Sequence, residues 1–297
     1  MISPQQALKT LGRRPSKSLG QHFLINQATA EKIVAAINPE PGDVVVEIGA
    51  GLGALTMPLS RSGARVIAVE IDPELAAFLW REYQPKIREE TLSVECIDIL
   101  KLNLAGLHDR FQTKLKIIGN LPYNISSPVM FKLMGVAPCI QEAVLMLQDE
   151  VAERVLAGPG SKDNGILSVM VGYHSERKRF MRVKPSQFHP PPKVDSQVIC
   201  LKFRACPLTP KVEPQYLLEV VKAAFSHRRK TLRNSLLASN LPDLTPDSVS
   251  VVLADAAIEP RLRPENLDLQ DFLRLAHTLA KKKREKASEM GTPCSSD

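Results

Sequence analysis

Between residues 44 and 148, short apolar, often β-branched runs alternate with longer amphipathic segments. That alternation predicts a parallel sheet covered by helices. Strands are expected at 44–48, 65–70, 92–97, 116–119 and 143–148. Apolar positions at helical spacing predict helices at 54–62, 73–84 and 126–134, with a leading helix at 28–37. Units of strand, helix and strand with short connections take right-handed crossovers, so the expected class is α/β, a doubly wound sheet.

Beyond residue 148 the pattern changes. A helix is expected at 151–156 and further strands at 166–173 and 194–203, while Pro190, Pro191 and Pro192 forbid a helix between them. Residues 206–214 carry three prolines and read as a linker. After it the strand signals stop, and helical periodicity at 216–237, 245–254 and 269–280 predicts a small all-helical C-terminal domain. The polar ends, 1–18 and 283–297, are expected to be a flexible basic arm and a flexible tail.

With 44% hydrophobic and 24% charged residues, the 297-residue chain can bury a core, which excludes a mostly disordered protein. The distribution of charge is more informative than its total. Residues 1–22, 219–233 and 274–290 together carry a net +12 against +7 for the whole chain, so the remainder is about 5 units negative. Clustered cations of this kind fit a polyanion. No apolar run approaches the roughly 18 residues a membrane helix needs, and the first 20 residues lack the apolar stretch of a secretory signal. A soluble, cytoplasmic protein without membrane association is expected. Five scattered cysteines predict reduced thiols, and six scattered histidines give no ligand spacing, so no metal is expected.

The most informative local feature is the glycine-rich turn 47–56, which leaves the first strand and enters a helix. Gly49 and Gly51 permit a tight turn and close approach of a ligand to the backbone. Its spacing departs from the dinucleotide fingerprint and suits a single nucleoside with a short cationic tail. Two carboxylates support this: Glu70 at the end of the next strand is placed for ribose hydroxyls, and Asp98 at the end of the third for an adenine amino group. Either alone reads as a helix-start or surface carboxylate; at successive strand ends they read as a binding pair. The loop, with Glu47, Glu70 and Asp98, resembles the S-adenosyl-L-methionine-dependent methyltransferases of class I, Rossmann-like fold.

Asn120, Leu121, Pro122 and Tyr123 follow the fourth strand directly. An adenine amino group is a poor nucleophile because its lone pair is delocalised into the ring. Acceptors on its two N–H groups would free that lone pair: the side-chain carbonyl of Asn120, and the backbone carbonyl of Leu121, which Pro122 keeps extended. Tyr123 offers a face for an unstacked base. The alternative is a strand-to-helix turn in which Asn120 caps and Tyr123 packs.

Residues 18–24, the run 120–127 and the proline-rich 188–196, with 227–236, closely resemble the bacterial small-subunit ribosomal RNA adenine N6,N6-dimethyltransferases. The resemblance spans about 17–280. It implies dimethylation of two adjacent adenosines in the 3′-terminal hairpin of 16S rRNA, in the 30S subunit, by a monomer active in late subunit maturation. It also implies that His22 and Leu24 touch the cofactor with Gly49, Gly51, Glu70, Asp98 and Asn120, and that Phe188 forms the second face of an aromatic clamp opposite Tyr123. Position 22 is commonly Asn in the family; a titratable His22 would make cofactor binding pH-sensitive.

One helix is expected to carry apolar Val220, Val221, Ala224, Phe225, Leu232 and Leu236 on one side and Arg228, Arg229, Lys230 and Arg233 elsewhere, as rRNA phosphate contacts. The domains expected are therefore an arm (1–18), a cofactor-binding catalytic domain (19–205), a linker (206–214), a helical RNA-binding domain (215–282) and a tail (283–297). Two further readings stay open: an RNA- or DNA-binding assembly or transcription factor with secondary methyltransferase activity, and an adenine methyltransferase of large-subunit rRNA.

Overall fold

The structure is a computed structural model describing residues 4–16, 19–206, 208–227, 229–242 and 244–290. Its described residues fall into two compact units, one comprising those up to Leu156 with His174–Ala205, the other 157–173 with those from Cys206 onward.

The first unit contains nine strands: β1 (Phe23–Leu24), β2 (Val44–Ile48), β3 (Arg65–Glu70), β4 (Leu92–Cys96), β5 (Leu115–Asn120), β6 (Ile140–Gln148), β7 (Ser175–Val183), β8 (Phe188–His189) and β9 (Ser196–Phe203). Seven form one sheet in the order β4-β3-β2-β5-β6-β9-β7; β2 to β6 run parallel, and β9 and β7 are antiparallel. β1 and β8 form a separate antiparallel pair. Every residue of β2 is buried, as expected for a strand covered on both faces. The chain leaves β2 towards β3 on one side and β5 on the other, so the order reverses at β2. A crevice opens at such a switch point, outside the carboxyl ends of the strands. Register places Ile48 beside Val69 and Gly119, so Gly49, Glu70 and Asn120 emerge at this one edge.

The expected parallel strands match within a few residues, whereas three helical or strand assignments change. The helix expected at 54–62 is only Thr56–Leu59, because Ser60 and Ser62 hydroxyls donate back to the carbonyls of Met57 and Leu59 and end it. Residues 166–173, expected as a strand, are helical within Ile166–His174; Ser168 Oγ accepts from Gly165 N at 2.7 Å and donates to Asn164 Oδ1, anchoring the start. An unbroken apolar run does not distinguish a buried helix from a buried strand. Besides the two-residue strands β1 and β8, the strand missed is β7, whose three arginines and one lysine suit an edge position, paired only with β9.

The second unit gathers helices Ile166–Tyr173 of that element, Pro214–Ala224, Leu232–Leu237, Pro246–Asp255 and Leu269–Met290 around Leu217, Val221, Leu236, Leu253 and Phe272. Segment 157–173 thus belongs here rather than to the expected 19–205 domain. The single basic helix expected at 216–237 is broken by a 3₁₀ turn at Phe225–His227, because Thr231 Oγ1 accepts from Asn234 N and starts a new helix. The linker is packed in part: Val212 is buried and its carbonyl accepts from Tyr173 Oη.

The described residues of both ends, expected to be flexible, include helix. Pro4–Thr10 is a helix with Ala7 and Leu8 buried, and the last helix runs on through 283–290; residues 291–297 lie outside the described ones. Among the described residues, no helix is long and apolar enough to cross a membrane.

Candidate active site

A cavity at the carboxyl ends of β2 to β5 is lined by Gly49, Gly51, Glu70, Asp98 and Asn120 to Tyr123, and by His22 and Leu24. The cavity brings together every expected site residue of the first unit except Phe188. The loop after β2 turns through left-handed backbone at Gly49 (φ +70°) and Gly51 (φ +58°). At Gly51 the crowding is also internal, since a Cβ would stand 3.2 Å from the Phe23 ring.

Glu70 is buried and does more than await a ligand. Its Oε2 accepts from Gly51 N at 2.8 Å and its Oε1 from Asp72 N at 2.9 Å, so it ties the glycine loop to the end of β3. Each oxygen thus takes a backbone hydrogen bond, and a carboxylate oxygen can accept more than one. Burial pushes its carboxyl above the usual range against those two hydrogen bonds. Glu47, behind the loop, accepts from Thr56 Oγ1 at 2.6 Å and is pushed by burial up to about 8. Asp98 is partly exposed, and one of its oxygens accepts from Leu100 N, capping the turn after β4.

Asn120 donates from Nδ2 to the His22 carbonyl at 3.0 Å. That bond fixes which end of the amide is engaged and leaves Oδ1 as the acceptor. Leu121 donates its N–H to Met146 O at 3.0 Å, and its carbonyl takes no hydrogen bond from the described residues. The side-chain oxygen of Asn120 and the carbonyl of the next residue, Leu121, are thus two acceptors that take no hydrogen bond from the described residues. Ile125 N and Ser126 Oγ both donate to the carbonyl of Pro122, closing the turn into the helix Ser126–Gly135. Tyr123 Oη and Ser196 Oγ are 3.2 Å apart and hydrogen-bonded.

Phe188 is the correction. It pairs with Leu24 across β1 and β8 and is 3% exposed within the core, among Leu24, Ile33 and Val198. The ring stacked against Tyr123 is that of His22, with centroids 5.5 Å apart, while His22 Nδ1 donates to Pro190 O at 2.7 Å. The reason lies in the two-residue β1–β8 ladder: alternation along it turns Phe188 inward.

In the second unit Arg229 and Lys230 are exposed, and Arg233 is half-buried with Nη2 3.5 Å from Pro246 O. Arg228 lies outside the described residues. Arg13 and Gln21 both donate to the buried Asp72 carboxylate, a cluster outside the expected site residues. Asp72 carried a readable signal, an acidic cap immediately before Pro73; Arg13 carried none.

The model of the family described as ribosomal RNA adenine dimethylase matches residues 12–281. Ribosomal RNA small subunit methyltransferase A of Syntrophotalea carbinolica is 43% identical over 269 residues, 91% of this chain and 98% of the relative. Among solved structures, a dimethyladenosine transferase from Plasmodium falciparum superposes with a TM-score of 0.74 at 28% identity, covering 88% of this chain and 98% of that one. The 23S rRNA methyltransferase ErmE superposes with a TM-score of 0.66 at 26% identity, covering 87% and 99%. Matched by the family's model over nearly its whole length and 43% identical to a relative across 91% of its residues, the chain belongs to the ribosomal RNA adenine dimethylase family.

Proposed function

We propose that the chain dimethylates N6 of two adjacent adenosines in the 3′-terminal hairpin of 16S rRNA, using S-adenosyl-L-methionine, as a monomer acting on the 30S subunit late in its maturation in the cytoplasm. The observation that carries this reading is the orientation of Asn120. With Nδ2 held by the His22 carbonyl, Oδ1 and the Leu121 carbonyl are two neighbouring acceptors at the end of β5, the pair an exocyclic amine requires.

The cavity residues fit the cofactor. Glu70 and Asp98 keep acceptor capacity at successive strand ends for ribose hydroxyls and an adenine amine, and apolar Ile71 and Ile99 line the wall between them. Bound there, S-adenosylmethionine supplies a methyl group on a sulfonium, whose departure as a neutral thioether drives transfer. Asn120 and Leu121 hold the amine N–H groups and localise the nitrogen lone pair, and Tyr123 supports the base. No side chain has to act as a strong base, because the proton is lost after the new N–C bond has made the nitrogen acidic.

The exposed Arg229 and Lys230, with Arg228 and Arg233, would hold phosphates and contribute affinity rather than base identity. The test is transfer of labelled methyl groups to purified small subunits lacking the modification, with the acceptor positions mapped by mass spectrometry. Two dimethylated neighbours in the terminal hairpin are expected. Labelling confined to large-subunit rRNA, or none in a chain that binds cofactor, would overturn the reading in favour of the other two.

A further inference from the structure

By composition, residues 1–18 belong to the cationic surface that meets RNA. The described part of that segment is instead built onto the cofactor cavity. Arg13 donates from Nη1 to both carboxylate oxygens of Asp72, each at 2.7 Å, while its Nε lies 3.2 Å from Glu74 Oε2. Gln21 Nε2 donates to the same Asp72 at 3.2 Å, and Gln21 Oε1 accepts from Ser16 N at 2.8 Å, tying residue 16 to residue 21. Asp72, 4% exposed, caps the helix Pro73–Glu82 through Glu74 N, and its own N–H donates to Glu70 Oε1.

An apolar contact runs parallel to this polar chain. Leu8, with Leu11 beside it, packs on Phe23 and Leu75, next to Leu52. Phe23, Leu52 and Leu75 line the cavity, so the N-terminal helix backs its wall. Phe23 is also the ring against which the glycine loop closes at Gly51.

We propose that residues 4–16 are a strap that orders the cofactor loop, with Arg13 as a positioning residue acting through Asp72 on Glu70 rather than as an RNA contact. The inference rests on the cofactor reading of this cavity. Burial works against the ionised Asp72, but the hydrogen bonds from Arg13, Gln21 and Glu74 N together outweigh it and hold the carboxyl below its usual range. Without Arg13 a buried carboxylate loses its cation, and the backbone that presents an N–H to Glu70 loses its anchor. A lysine keeps the charge but lacks the separate Nε and Nη donors that reach two carboxylates.

The test compares the full-length chain with Arg13→Ala, Arg13→Lys and Leu8→Ala, reading S-adenosylmethionine affinity by calorimetry and kinetics on undermethylated small subunits. Arg13→Ala should weaken cofactor binding about tenfold, equivalent to about 1.4 kcal/mol. The KM for cofactor should rise with it, while kcat and the KM for subunits stay within about twofold. Arg13→Lys should fall between. Leu8→Ala, which removes no charge, should shift cofactor affinity in the same direction, and it carries the test if Arg13→Ala does not fold. Unchanged cofactor affinity in all three, or a rise confined to the KM for subunits, would overturn the strap and return the arm to RNA binding. Failure of the unaltered chain to bind S-adenosylmethionine would overturn the functional reading instead.

Discussion

The side-chain nitrogen of Asn120 donates to the backbone carbonyl of His22, 98 residues earlier in the chain, at 3.0 Å. A main-chain acceptor thereby decides the orientation of the Asn120 amide. Asn120→Ala removes the acceptor and should lower single-turnover methyl transfer by about 10²-fold, the scale seen when one preorganised polar group is removed from a reacting centre. Asn120→Asp keeps acceptor oxygens but turns one of them on the His22 carbonyl, so it should also fail. Turnover near the starting level in either variant would remove Asn120 from the chemistry.

Tyr123 separates stacking from hydrogen bonding. Tyr123→Phe loses only the bond with Ser196 and should retain turnover within a few-fold. Tyr123→Ala loses a face worth about 1–3 kcal/mol to a base, and should raise the KM for subunits by tenfold or more. Equal losses in the two variants would mean that the hydroxyl, not the ring, matters.

Glu47 makes a pH prediction. Burial raises its carboxyl from 4.5 in the ordinary state to about 8 in the fold. Between those values the folded chain binds more protons than the unfolded one, so stability contributed by this site is full at low pH and is lost as pH rises towards 8. Melting temperatures measured from pH 5 to 9 should decline more steeply in the starting chain than in Glu47→Gln, which keeps an acceptor for Thr56. Parallel curves would show that Glu47 does not hold its proton.

Neutralising Arg229 and Lys230 together with Arg228 should weaken subunit binding and reduce its salt dependence, by a slope of about 0.7 to 0.9 for each phosphate that no longer meets a cation. Cofactor affinity should stay nearly constant. A matching fall in cofactor affinity would contradict the assignment of these residues to phosphate.

Much of the catalytic half was legible in the chain. β2, β3 and β5 are readable because a strand buried on both faces is rich in apolar, β-branched residues, broken here only by Glu47 in β2 and Lys116 in β5, and Gly49, Glu70 and Asn120 stand where these runs end. Pattern failed where one signal has two physical solutions: residues 166–173 are apolar enough for strand or helix, and β7 is charged because it is an edge. The basic helix was over-extended because periodicity says nothing of Thr231 and Ser226, whose side chains take up backbone groups and break it.

By itself, the sequence determined the parallel strands β2 to β6, the glycine loop after β2 and the turn after β5, since each depends on neighbours within a few residues and on the order of elements. Only the tertiary structure decided which ring faces Tyr123, which end of the Asn120 amide is engaged, and that Arg13 belongs to Asp72. Those are contacts between segments 59 to about 100 residues apart. Their geometry comes from the β1–β8 pairing and from the packing of Leu8 on Phe23, and no local periodicity encodes either.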